Sequence, residues 1–122
     1  MSFNFDELPN KRKAEIYRRD YSVWKSHSLS AGGYFPIFSS FKDSFMLSKL
    51  SGNALKLYIF LGLASKNDTG DCWVSIDTIA KYFNKSNRAI SGWIKELEGS
   101  RLIVRMQMEQ NGVAHTFIRP YY

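Results

Sequence analysis

Between Lys81 and Lys95 the 122-residue chain gathers side chains suited to hydrogen bonding rather than to making or breaking bonds: Lys81, Lys85, Ser86, Asn87, Arg88, Ser91 and Lys95, with Gly92 among them. A guanidinium presents paired donors that match the major-groove edge of guanine, and a carboxamide presents a donor beside an acceptor, which matches adenine. A lysine ammonium is a point charge for a phosphate. Gly92 is the odd member, because glycine in a helix interior costs about 1 kcal/mol relative to alanine. Either a partner approaches the backbone closely there or a neighbouring helix packs tightly against it, and the sequence leaves both readings open.

Bond-making chemistry finds no support. His27, His115 and the single Cys72 have no spacing that suits a zinc site. Cys72 lies in an apolar context and reads as a small core residue. Ala31-Gly32-Gly33 leads into Tyr34-Phe35-Pro36, not into the Lys-Ser/Thr of a phosphate loop. Asp68 and Asp71 lack the further acidic positions and distal Glu of a calcium loop. We expect no catalytic residue, no metal and no cofactor.

The elements that must position the polar cluster lie in Ser75–Leu97. Ile76, Ile79, Ala80 and Phe83 recur at helical spacing behind Ser75, an N-cap residue. Asn84-Lys85 breaks that run. Ser86 caps a second helix over 86–98, with Ile90, Ile94 and Leu97 as its apolar stripe and Trp93 at its edge. Gly99 is expected to end it in a left-handed conformation. Asn87, Arg88, Ser91, Gly92 and Lys95 lie off the stripe. Beyond, Leu102 to Glu109 alternates with period two, Asn111-Gly112 signals a type I′ turn, and Val113 to Arg119 returns as a partner strand. Arg105, Gln107, His115 and Arg119 are polar along this hairpin, and Gln110 and Asn111 stand at its tip.

From about Leu50 to Tyr122 this pattern resembles the winged helix-turn-helix domains of bacteria, the exit Leu97-Glu98-Gly99-Ser100-Arg101-Leu102-Ile103-Val104-Arg105 included. It looks most like accessory regulators and replication initiators of plasmids, phages and mobile elements. The resemblance implies a mainly α fold with a small antiparallel sheet (α+β). It also implies double-stranded DNA as partner. The helix at 86–98 would enter the major groove and the hairpin at 102–119 would be the wing, with Lys81, Lys85, Ser86, Asn87, Arg88, Ser91, Gly92, Lys95, Arg105, Gln107, Gln110 and Asn111 at the DNA. Winged helices also serve as docking modules, so an interaction module in replisome or helicase-loader assembly is the alternative, with a replication protein as partner.

Composition agrees with a globular, DNA-tolerant chain: 44% apolar residues, 16% aromatic, and a net charge of +6. One cysteine suits a reducing cytoplasm, and neither a membrane span nor a signal peptide is evident. Residues 1–33 read as a basic and aromatic arm with a linker, and 34–122 as the winged-helix domain. Met1–Pro9 is expected to fray. Asn10 is expected to cap a helix to about Ser26, whose Tyr17, Tyr21 and Trp24 share one face. That face is expected to meet protein, either this domain or a second subunit in a homodimer, while the basic residues offer a DNA contact. Ser28–Gly33 is expected to be flexible, Tyr34–Phe38 a short edge strand, and Ser40–Leu50 a short helix on the core through Phe41, Phe45 and Leu47. The helix from Ser51 or Gly52 to about Ser65 is apolar almost all round, so it is expected to be covered on several sides. Cys72-Trp73-Val74 is expected to form a small strand.

Overall fold

The computed structural model describes residues 4–122, so the expected fraying of residues 1–3 lies outside them. The chain forms two compact units, Met1–Tyr34 and Phe35–Tyr122. In the first, Phe5–Glu7 makes one 3₁₀ turn, closed by the Asn4 side chain accepting from the Asp6 N–H at 3.1 Å. Asn4–Leu8 thus carries a capped turn where no regular structure was expected. Helix α1 covers Asn10–Ala31, with Pro9 rather than Asn10 in the cap position. It runs through most of the expected linker. Leu29 and Ala31 are good helix formers, and the Ser30 hydroxyl donates to the Ser26 and His27 carbonyls instead of competing for the backbone N–H groups. Extended backbone begins only at Gly32. No residue of α1 is buried. Phe5 meets Tyr17 edge-on, Tyr21 meets Trp24, and Arg12 pairs with Glu15 at 2.7 Å.

In the second unit, α2 (Ser40–Asp43), α3 (Met46–Lys49) and α4 (Gly52–Ala64) precede β1 (Asp71–Cys72), α5 (Ile76–Phe83), α6 (Asn87–Gly99), β2 (Ile103–Gln107) and β3 (Ala114–Ile118). The core joins Leu57, Tyr58 and Leu61 of α4, Ile79 of α5, Ile90, Ile94 and Leu97 of α6, and Leu102 and Ile103 at the sheet. Phe41 stacks on Tyr58 with ring centroids 5.4 Å apart. Burial pushes the Tyr58 phenol well above its ordinary pKa.

Several expectations fail for tertiary reasons. Tyr34–Phe38 forms no strand. Its Phe35 ring lies so close to Gly62 that a Cβ there would collide with it, and the Phe38 N–H donates to the Tyr121 hydroxyl at 2.9 Å. Ser40–Leu50 breaks into two helical turns at Phe45, whose φ is 63°. Phe41 enters the core, but Phe45 and Leu47 stay exposed. α4 is central, yet Ile59 and Leu63 remain open beside Phe60, Tyr82 and Phe83. β1 ends at Cys72, leaving Trp73 exposed and stacked on His115.

The sheet is antiparallel with order β1-β3-β2. Register pairs Ile103 with Ile118 and Arg105 with Thr116, so Ile103, Arg105 and Thr116 share the buried face. Val104 and Met106 lie on the other. β2 and β3 are joined by a wider loop than the two-residue type I′ turn: Asn111 has φ 63°, Gly112 does not take a positive φ, and the Gly112 N–H donates to the Glu109 carbonyl.

Candidate nucleic-acid interface

Two capped helices hold the polar cluster. The Ser75 hydroxyl accepts from the Thr78 N–H at 3.1 Å, and the Ser86 hydroxyl from the Ala89 N–H at 3.1 Å. Between them Asn84 takes the left-handed conformation (φ 54°), and the Lys85 N–H reaches back to the Ala80 carbonyl. That six-to-one bond closes α5 and turns the chain into α6. The end of α6 uses the same device two residues later than expected. Gly99 is its last helical residue, and Arg101 takes the positive φ, 61°. The Arg101 N–H donates to Glu98 and the Leu102 N–H to Leu97. Leu102 and Leu97 are both fully buried, and this hydrophobic closure holds a non-glycine residue in the left-handed region.

Ile90, Ile94 and Leu97 bury the inner face of α6, so Arg88, Gly92 and Lys95 are exposed on the outer one and Ser91 is half-buried at its border. Those positions follow spacings of three and four and form one stripe. A Cβ built on Gly92 meets nothing within 4 Å. Tight helix packing therefore does not explain this glycine.

Lys81, Lys85 and Asn87 surround a cleft between α5 and α6 together with Asp77, Ala80 and Asn84. There the Asn87 amide nitrogen donates to the Asp77 carboxylate at 2.6 Å. Asp77 is absent from the sequence-derived site. It lies ten positions before Asn87, and only the turn brings the two together. Among the wing residues, Gln110 and Asn111 are exposed at the loop. Gln107 donates back to the Gly112 carbonyl at 3.2 Å.

Arg105 points inward. Its guanidinium donates to the Thr116 hydroxyl at 2.8 Å and to the Val74 carbonyl at 3.1 Å. Burial lowers its pKa, the neighbouring Cys72 and Glu98 opposing that shift. Arg105 therefore ties the hairpin to the segment before α5, with its guanidinium engaged by the protein and the residue half-buried. Burial likewise pushes the Cys72 thiol up, with the Ser65 and Arg105 side chains opposing. Among the described residues no group of three or more His, Cys, Asp or Glu could hold a metal ion, and no helix is long and apolar enough to cross a membrane.

Residues 48–103 match a helix-turn-helix domain family. That span covers α4, β1, α5 and α6 and ends at the first residue of β2. The fold is similar to that of a MarR-like transcriptional regulator from Thermotoga maritima, with a TM-score of 0.50 at 16% sequence identity. The match covers 87% of this chain and 64% of that one, so the chain spans less than two thirds of the regulator's length. No curated protein matches the sequence. The expected winged helix-turn-helix architecture, mainly α with a small antiparallel sheet, is thus the one found.

Proposed function

We propose that this winged helix-turn-helix chain binds double-stranded DNA, with α6 in the major groove and the wing loop beside the backbone, in the regulation or replication of a bacterial mobile element. The observation that carries the reading is Gly92. It is exposed and faces open space in the middle of a stripe of Arg88, Ser91 and Lys95, where close approach by an outside partner gives a helix reason to forgo a side chain. Ser86 and Asn87 start the helix at that surface, and Lys81 and Lys85 flank it as phosphate contacts. Gln110 and Asn111 are the wing residues we assign to the DNA. Arg105 is removed from the set, and Gln107 supports the loop. The mobile-element context rests on the sequence resemblance alone, and on this reading the chain works in the bacterial cytoplasm.

Duplex binding at two salt concentrations tests the reading. Affinity should fall as salt rises, with a slope in proportion to the phosphates neutralised. Absence of duplex binding at low salt refutes it.

A second reading draws on α1. Tyr17, Tyr21 and Trp24 are 61%, 59% and 62% exposed, and large aromatics seldom stay clustered in water without a partner. We assign residues 1–33 as an arm that docks on protein, through Tyr17, Tyr21 and Trp24, and residues 34–122 as the DNA-binding domain. The arm's partner is a second copy of the chain, which makes the protein a homodimer on DNA. A replication protein as partner would instead make the chain an assembly accessory.

A further inference from the structure

The hydrogen bond between Asn87 and Asp77 has a consequence for base selection, which rests on the DNA-binding reading. Carboxylate oxygens accept and do not donate, so the amide nitrogen of Asn87, not its carbonyl oxygen, must face Asp77 at 2.6 Å. Among the described residues the Asn87 carbonyl oxygen has no hydrogen-bond partner, and one amide hydrogen is also free. Both residues are exposed, each in the first turn of its helix, α5 and α6. The amide is therefore held in one of its two flip states before any ligand arrives. What it offers outward is an acceptor beside a donor.

We propose that Asp77 is a specificity-determining residue that acts through Asn87, fixing its carboxamide in the orientation that selects adenine. The free Oδ1 accepts from the adenine N6 amino group, and the second amide hydrogen donates to N7. Guanine presents acceptors at both O6 and N7, so a pinned Asn87 sets its carbonyl oxygen against O6. An unpinned amide can rotate or move aside. Asp77 also places a negative charge in a cleft bordered by Lys81 and Lys85, close to where phosphates would run, and so opposes binding to any sequence. It lowers affinity for every duplex and raises discrimination among them, the combination that a specificity element requires.

The test compares the wild type with Asp77→Asn and Asn87→Ala. Preferred duplexes are selected from a random pool, and affinities are then measured for the preferred site, for variants with single A·T to G·C changes, and for random duplex. The wild type should prefer A·T at one position per α6 by about tenfold or more. Asp77→Asn keeps the side-chain shape but can donate or accept. It should bring that ratio to within about twofold and tighten binding to random duplex. Asn87→Ala should lose the same preference without the gain in random binding. Circular dichroism melts confirm that the variants are folded. An unchanged A·T to G·C ratio in Asp77→Asn, with duplex binding intact, overturns this inference alone. Failure of the wild type to bind any duplex overturns the DNA-binding reading and this inference with it.

Discussion

Glu96 of α6 holds the N-terminus of α4: its two carboxylate oxygens accept the Ser51 backbone N–H and the Ser51 hydroxyl, each at 2.8 Å. The same hydroxyl oxygen accepts from the Ala54 N–H at 3.2 Å. A negative charge thus sits at the positive end of the central helix and orients its capping residue. Because Glu96 is next to Lys95, the last residue of the exposed stripe, this contact also helps fix how α6 is rotated on the core. Glu96→Ala should destabilise the domain by about 1–2 kcal/mol, the sum of a weakened cap and a lost charge-assisted acceptor. Glu96→Gln should cost less. Urea denaturation of both checks it, and a midpoint equal to wild type for Glu96→Ala removes the contact from the stability of the fold.

The pair explains a limit of sequence reading. Glu96 is legible only as an acidic residue near the end of an amphipathic helix, 45 positions from its partner. Local patterns were sufficient for α5, α6 and their N-caps, because Ser75, Ser86 and the Ile90–Ile94–Leu97 stripe act within a few residues of themselves. They failed where a distant group decides. The strand period correctly separates two faces of β2, but only the β3 register shows that Arg105 lies on the buried one. Ser28–Gly33 looks like a linker by composition, yet the Ser30 hydroxyl finds carbonyls one turn back. Asp77 gains its part in the proposed site from a partner across the turn.

Two arginines expected at DNA should now behave in opposite ways. Arg88→Ala should weaken binding to the preferred duplex by about 1–3 kcal/mol and leave thermal unfolding unchanged, because Arg88 is exposed on the outer face of α6. Arg105→Ala should destabilise the fold by about 1–3 kcal/mol, since it removes the donors to Thr116 and Val74. Its effect on DNA affinity should be small once the folded fraction is accounted for. Melting curves and duplex titrations of both variants decide. A folded Arg105→Ala protein with a large binding defect would return Arg105 to the interface.

Gly92 separates stability from function within one residue. Its surroundings are empty within 4 Å, so Gly92→Ala should raise stability by about 0.5–1 kcal/mol through helix propensity alone. The same position is where we propose the closest DNA approach, so Gly92→Leu should remain folded and lose at least about tenfold in duplex affinity, as an overfilled contact would. Unfolding and titration measured on the two variants give four values. A stabilised Gly92→Ala with wild-type DNA binding by Gly92→Leu would show that the glycine leaves room for nothing in the complex.

The arm gives the last prediction. Helix α1 has 22 residues and buries none of them. It is about 33 Å long at 1.5 Å per residue, and helices owe most of their stability in proteins to packing of an amphipathic face. We propose that a partner holds this helix, with its aromatic face, Tyr17, Tyr21 and Trp24, as the surface. The second unit meanwhile contains every winged-helix element and its own core. A chain beginning at Gly33 should therefore fold with nearly the thermal stability of the full protein. If the partner is a second copy, the truncated chain should be a monomer where the full chain is a dimer by light scattering at tens of micromolar. It should also bind a two-half-site duplex much more weakly, since one recognition helix reaches only a short site and paired half-sites lie about one helical turn apart. Tyr17→Ala with Trp24→Ala should reproduce the loss of dimers in the full-length chain. Unfolding or insolubility of the truncated chain would instead assign the arm to the stability of its own domain. A full-length monomer would leave a different protein as the arm's partner.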